Sequence, residues 1–363
     1  MIFNTEYYEV FLPPYFLIGI AIIFSFIITS IAIPSIVRVS VIKNLMAKPN
    51  GRTSHFNPTP NLGGVAIFAG VIISSVVFTG ITTAHELKYI IAAMLIVFFV
   101  GLKDDLHPMV AYKKFFGQTV AVLFILIPGD FHLNSLHGLL GIGDLPYFPS
   151  IIVSYVLFLA LINSFNLIDG IDGLASGVGI LSSIFFGIIF LLDNHMAYAV
   201  MSFILGASLS TFFYYNVFSK KNKIFLGDTG AMLIGLLLAI FAIRFLNYES
   251  NASFLSQSQA APAVLLCVLI VPIFDTARVV ILRLLRGKSP FEADRTHIHH
   301  RLLDISGSHL KATGIILLVN MLFIALALLL RDTNASLLIL GALALAAVLS
   351  YIPVYLRRNS HIR

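Results

Sequence analysis

The stretch SIIVSYVLFLALINSFNLIDGIDGLASG, residues 150–177, runs from a segment of bilayer character straight into two aspartates, Asp169 and Asp172, each followed by glycine. A spanning helix needs about 20 mostly apolar residues, and ionisable residues at that depth are costly enough to be functional candidates. The same apolar pattern recurs along the chain, at 13–36, 62–80, 88–103, 115–129, 149–165, 176–192, 196–217, 229–247, 260–282, 312–330 and 335–356. Of the 363 residues 58% are hydrophobic and 11% charged, against roughly 25% charged in soluble domains. The reading is an all-α polytopic membrane protein of about eleven helices, a single domain over residues 1–363 with no separate soluble part.

Basic residues orient it. All but three of the 23 lysines and arginines fall on one set of loops, the exceptions being Lys88, Arg244 and Arg331. The basic side is expected to be cytoplasmic, which puts the amino terminus outside and the carboxyl terminus inside. The first span is bordered by Glu6 and Glu9 rather than basic residues and lacks a small-residue cleavage site, so it reads as a retained helix and not a signal peptide. The net charge of +6 reflects this loop bias and gives no ground for nucleic-acid binding. Cys267 lies in an apolar span and reads as inert packing.

The acids are placed unevenly. Asp104 and Asp105 end the third predicted span, Asp169 and Asp172 follow the fifth, Asp228 opens the eighth in FLGDTG (225–230), and Asp275 lies near the inner end of the ninth. Each has a plain structural reading: Asp228 as a helix cap, Asp104-Asp105 as a solvated helix end before Pro108, and Asp275 as an i,i+3 partner of Arg278, the reading preferred for it. Asp169 and Asp172 resist such a reading. On a helix they would face the same way, and like charges repel unless a cation joins them. With Asn166 they line up oxygen ligands of the hard kind that suits Mg²⁺ or Mn²⁺, and Mg²⁺ is commonly held by one or two carboxylates plus substrate phosphates.

The loop RLLRGKSPFEADRTHIHHRLLD (283–304) supplies the opposite charge: Arg295 and others, with His297, His299 and His300. A positive-inside loop would explain the arginines. The H-x-H-H spacing does not match common zinc patterns, and donors beside a cation suit a diphosphate. Lys114 and His55 are further donors on the same side. The cytoplasmic loops 38–61, 104–114, 163–175, 218–228 and 283–311 are therefore expected to form one site for a phosphate-bearing substrate, next to a lipid.

Taken in order, GLKDDL (101–106), NSFNLIDGIDGL (163–174), FLGDTG and RGKSPFEADRTHIHH (286–300) resemble the polyprenyl-phosphate N-acetylhexosamine-1-phosphate transferases, glycosyltransferase family 4, in the WecA/TagO-like branch related to MraY. The resemblance runs from about residue 38 to residue 303. It implies transfer of a sugar-1-phosphate from a UDP-sugar to undecaprenyl phosphate with release of UMP, dependence on Mg²⁺, an inner-membrane location, and the first step of a cell-envelope polysaccharide. N-acetylglucosamine is the branch's usual sugar, and N-acetylgalactosamine stays open. By the same carry-over, Asp104 and Asp105 would activate the lipid phosphate, by proton removal or by a covalent route. Asn166, Asp169 and Asp172 would form the sugar-nucleotide and metal edge, and Asp228 would bind the metal. Phe225 would stack on uracil, Lys114 would match the family's lysine, and Arg295, His297, His299 and His300 would hold the diphosphate and amino sugar. A homodimer is expected through the resemblance alone. The lysine that the MraY branch carries before the Gly-Gly of the second span is absent here, where the position reads His55 or Phe56, so a large muropeptide substrate is not expected. Two rivals from other classes are a divalent-cation transporter, which would place its acids near the midplane on broken helices, and a non-catalytic lipid-phosphate binding protein or scramblase.

Overall fold

The computed structural model describes residues 13–46, 58–79, 84–247, 260–289 and 297–360. Its elements in chain order are α1 (Pro14–Ile42), α2 (Gly63–Phe78), α3 (Ala84–Leu106), α4 (Ala111–Leu126), β1 (Ser135–Leu139), β2 (Ile142–Asp144), α5 (Tyr147–Ile168) and α6 (Leu174–Leu192). They continue as α7 (Met196–Val217), α8 (Gly227–Asn247), α9 (Ala261–Val268), α10 (Ile270–Leu285), α11 (Ile298–Ser306), α12 (His309–Leu329) and α13 (Ala335–Ser360). This is an all-α polytopic membrane architecture. Seven of the helices are long and apolar enough to cross a bilayer, or eight if α9 and α10 are one span. The stretches at α2 and α4 are only 16 residues each, below the usual spanning length of about 20.

A helix that is apolar on every side has to be surrounded. In α8 every residue from Thr229 to Ile243 is buried, and α2, α3, α5 and α6 pack around it. Its apolar window is 94% buried, against 22% for α13 and 28% for α1, so α8 is the axis and those two form the lipid-facing edge. Small residues let the neighbours close on it. A Cβ on Gly101 of α3 would lie 2.5 Å from Thr229 Cα, and one on Gly235 would lie 2.5 Å from Ile162 Cα of α5. Hydroxyls join α1 to α7, with Ser208 Oγ of α7 at 2.9 Å from Ser25 Oγ and 2.8 Å from Thr29 Oγ1 of α1.

Arg244, an exception to the charge bias, is neutralised at the far end of α8. It pairs with Glu86, and its guanidinium lies over the rings of Phe131 at 4.1 Å and Tyr198 at 5.3 Å. Between α4 and α5, β1 and β2 form an antiparallel hairpin.

The stretch 260–282 is not one straight helix. It breaks at Leu269, and α9 and α10 meet at 80°. Pro272 accounts for this, because it has no N–H to return to the carbonyl four residues back and its ring crowds that carbonyl. The carbonyl concerned is that of Val268, and the buried Asn320 of α12 donates to it through Nδ2 at 3.3 Å. Replacing Asn320 with alanine is expected to leave that oxygen unpaired and to cost about 1–3 kcal/mol. Thermal unfolding in detergent checks this, and an unchanged midpoint would mean that the bend does not need the amide.

Candidate active site

The first turn of α8 is built into the end of α3. Asp105 Oδ1 accepts from Asp228 N at 2.7 Å, while Oδ2 accepts from Thr229 N at 3.0 Å and Thr229 Oγ1 at 2.6 Å. Asn61 Nδ2 donates to the Asp105 carbonyl at 3.2 Å. Gly227 has to be glycine here: its φ is +72°, and a Cβ would lie 2.7 Å from either carboxylate oxygen of Asp105. Asp105 therefore caps α8 from another helix, where the amino-terminal dipole favours a negative charge.

That contact delivers Asp228 to the remaining groups. Lys114, at the start of α4, reaches Asp228 Oδ1 at 2.8 Å and Asp104 Oδ2 at 3.1 Å, bridging two carboxylates. Asp104 Oδ1 accepts from Met109 N at 2.5 Å. One turn further along α4, Gln118 and Asn163 exchange amide hydrogen bonds at 3.0 and 3.4 Å, tying α4 to α5.

The DGIDG segment is where the sequence reading and the structure part. The two acids do not share a helix face, because α5 ends at Ile168 and residues 169–173 form a turn closed by Gly173 at φ +80°. Asp169 makes no hydrogen bond or ion pair among the described residues. Burial holds its carboxyl well above the ordinary range, and the charges of Asp228, Asp105 and Asp172 push in the same direction. Asp172 turns away to Lys223 Nζ at 2.6 Å, with His309 Nδ1 at 3.8 Å. Asn166 sits on the last turn of α5. Gly173 N donates to Asn216 Oδ1 at 2.7 Å, and Asn216 Nδ2 donates to the Ile224 carbonyl at 2.9 Å, locking the turn to the segment that carries Phe225. Phe225 itself pairs through its backbone with Pro60 and Gly63, and its ring lies 5.8 Å from Lys223 Nζ.

On the other side of the DG turn lie the histidines. His297 and His299 are 3% and 1% exposed. A Cβ on Gly170 would come within 2.3 Å of His299 Nε2 and 3.1 Å of His300 Cε1, so these two rings lie against the residue that follows Asp169. Asp275 accepts from Arg278 Nη2 at 2.9 Å, as the i,i+3 spacing anticipated, and in addition from His297 Nδ1 at 3.0 Å. Asp275, His297 and His299 each present a ligand atom within 4.8 Å of the others, a grouping able to hold a metal ion. Beside them, an apolar cavity of about 190 Å³ runs between α10, α12 and α13, lined among others by Ile168, Phe274, His299, Ile316 and Phe323. His55 and Arg295 lie outside the described residues. Asp104, Asp105, Lys114 and Asp228 are thus in direct contact, Asp169 is within their field, and Asp172 is set apart by Lys223. Asn61, Thr229, Asn216 and Lys223 were not singled out from the sequence; only Thr229 lies in one of the quoted motifs, and each acts through a partner far away in the chain.

Residues 87–246 match the model of glycosyl transferase family 4. A decaprenyl-phosphate N-acetylglucosaminephosphotransferase of Mycolicibacterium smegmatis is 31% identical over 348 residues, covering 89% of this chain and 85% of that protein. The chain belongs to glycosyl transferase family 4, among its polyprenyl-phosphate N-acetylhexosamine-1-phosphate transferases. A probable undecaprenyl-phosphate N-acetylglucosaminyl 1-phosphate transferase of Bacillus subtilis is 30% identical over 322 residues, 87% of this chain and 86% of its own length. An undecaprenyl-phosphate alpha-N-acetylglucosaminyl 1-phosphate transferase of Salmonella typhi is 29% identical over 288 residues, 77% and 74%.

In this transferase Gly170, next to Asp169, is packed against His299, where a Cβ would lie 2.3 Å from Nε2. Gly170→Ala is expected to push the buried ring of His299 out of its present position, and displacement of about 1 Å at such a site costs on the order of a hundredfold in rate. Transferase assays on the purified variant, with its unfolding midpoint measured alongside, check this; near-normal turnover would mean that His299 does not need its present position.

Proposed function

We propose that this protein transfers N-acetylglucosamine-1-phosphate from UDP-N-acetylglucosamine to an undecaprenyl-type polyprenyl phosphate, releasing UMP, as the first step of a cell-envelope polysaccharide. In the same reading the chain has about eleven spans, counting α2, α3 and α4 and taking α9 with α10 as one. Its amino terminus is outside and its site faces the cytosol across the bacterial inner membrane. The observation that carries the proposal is the contact of Asp104, Lys114 and Asp228 at the ends of three helices, with Asp169 in the field of their charges. The apolar cavity, lined by Ile168, Asp275 and His299 among others, would suit the lipid part of the acceptor.

The donor set is one that Mg²⁺ suits: carboxylates and an amide oxygen with a single nearby lysine, so negative charge is in excess. Asp228, Asp169 and Asn166 are the residues that would hold it. When bound, the ion would neutralise the diphosphate and the departing UMP. The chain's own groups divide the rest. Asp105 is fully engaged as the cap of α8, which leaves Asp104 to take the remaining proton of the lipid phosphate. A phosphomonoester has a second pKa near 6, so the task is slight at neutral pH. The lipid phosphate oxygen then attacks the β-phosphorus, a new P–O bond forms, and the bond from that phosphorus to the bridging oxygen breaks as UMP leaves. Lys114 steadies the charge that develops between Asp104 and Asp228. His299 and His300, bordering Gly170, are placed to donate to the diphosphate, and Phe225 offers a face to the uracil. Such catalysis is mainly positioning and charge stabilisation.

A cation transporter fits less well. The acids sit at helix ends with a lysine among them, and two of Asp105's roles are spent on a backbone. The test is to incubate membranes or purified protein with labelled UDP-N-acetylglucosamine and polyprenyl phosphate, with and without EDTA. Organic-extractable label and stoichiometric UMP are expected, lost with EDTA and restored by Mg²⁺. Asp228→Asn is expected to abolish transfer while the protein stays folded. Normal turnover in that variant would remove Asp228 from the chemistry, and a panel of other UDP-sugars in the same assay reads the donor.

A further inference from the structure

Asp275 is a buried charge that the acid cluster does not use. It is 3% exposed, and the groups that face it come from two elements. From α10, Arg278 Nη2 donates to Oδ1 at 2.9 Å. From the start of α11, Ile298 N donates to Oδ1 at 3.1 Å, His297 Nδ1 lies 3.0 Å from Oδ2, and His299 Nδ1 lies 3.7 Å from Oδ2. His297 is the N-cap residue of α11, and its own side chain makes no cap hydrogen bond. The carboxylate of Asp275 therefore supplies from another helix the acceptor that the first turn of α11 needs.

The three histidines of H-x-H-H are consequently not equivalent. His297 is turned inward and held by Asp275. His299 stacks on it, with centroids 5.3 Å apart and planes at 23°, and its Nδ1 stays 3.7 Å from Asp275 Oδ2. His300 tilts against His299 at 4.3 Å. A chain of contacts thus runs from Asp275 through His297 and His299 to Gly170. Burying a carboxylate with an arginine is weak evidence for stability, since apolar replacements of such pairs are often neutral or better. Specific placement is the better account. A metal ion among Asp275, His297 and His299 would have to lie near the guanidinium that already balances this carboxylate.

We propose that Asp275 is a positioning residue and that His297 is its intermediary rather than a ligand of the substrate. Together they fix the first turn of α11 so that His299 and His300 meet the donor diphosphate. This rests on the reading of those two histidines given under the proposed function.

The test uses the full-length protein in detergent. Asp275→Asn keeps the shape and an acceptor for Ile298 N but removes the charge. Loss of a hydrogen bond to a charged group is worth about 1.5–3 kcal/mol, so the KM for the UDP-sugar is expected to rise about tenfold or more. The KM for polyprenyl phosphate is expected to stay near wild type. His297→Gln leaves the Asp275–Arg278 pair in place and is expected to shift the same constant in the same direction. If Asp275→Asn does not fold, His297→Gln alone decides, and an unchanged donor KM there overturns the proposal. A fall in kcat with both KM values unchanged, together with a lower unfolding midpoint, would show a merely structural role and also overturn it. So would a stoichiometric metal in the wild type that both variants lose. Diethylpyrocarbonate labelling mapped by mass spectrometry gives a readout independent of the reaction: His299 is expected to be protected in the wild type and labelled in both variants. Unchanged protection overturns the proposal, whereas exposure of His299 in a protein with no transferase activity at all would sink the proposed function and leave the positioning intact.

Discussion

The seating of α8 on Asp105 is the contact on which the rest of the site depends. A helix start enclosed by other helices leaves backbone N–H groups without partners unless something supplies acceptors. Here the acceptor comes from α3, 123 positions away in the chain. The same carboxylate takes two backbone donors and the Thr229 hydroxyl. That arrangement sets the height of α8 against α3, and with it the meeting of Asp104, Lys114 and Asp228. An acid that contacts no substrate in the proposed reaction would then govern the geometry of those that do.

Packing around α8 obeys the conditions of a lipid solvent. Apolar helices gain little by leaving lipid for one another, so close approach through small residues has to do the work. Gly64 of α2 lies against Gly230 of α8, Gly101 of α3 against Thr229, and Gly235 against Ile162 of α5. Two of these contacts fall in the first turn of α8. The glycines of FLGDTG and GLKDDL consequently serve the same end as the acids beside them, bringing backbones close enough for Asp105 to reach. A side chain at Gly64 or Gly101 would separate the helices where the site requires contact.

Much of this was legible in the chain. Hydropathy marks where the helices lie, and the order of motifs identifies the family. What was not legible is chiefly long-range pairing. Periodicity places Asp169 and Asp172 one turn apart on a common face, but α5 ends at Ile168, and in the turn closed by Gly173 Asp172 pairs with Lys223. The i,i+3 spacing found Arg278 as a partner of Asp275 and could not find His297, which arrives from across a loop. The proline at 272 was visible, yet the 80° bend needs Asn320 to receive the carbonyl that Pro272 frees. Local rules read local chemistry, and the site is assembled from residues whose partners lie tens of positions away.

The fates of the acids bear on how a cation would be held. Asp105 is spent on the backbone of α8, Asp172 on Lys223, and Asp275 on Arg278 and His297. Asp169 is left facing like charges, and Asp228 shares Lys114 with Asp104. Mg²⁺ dehydrates reluctantly and is usually held by one or two carboxylates together with phosphate oxygens rather than by a protein cage. Asp169 and Asp228 are that number. In the proposed reaction Lys114 would compete with the ion for Asp228, so the ion would gain most when the diphosphate arrives with it and supplies the missing oxygens. Electrostatics of this kind couple cofactor and donor without any moving part, because neither alone offsets the charge that the helix ends bring together.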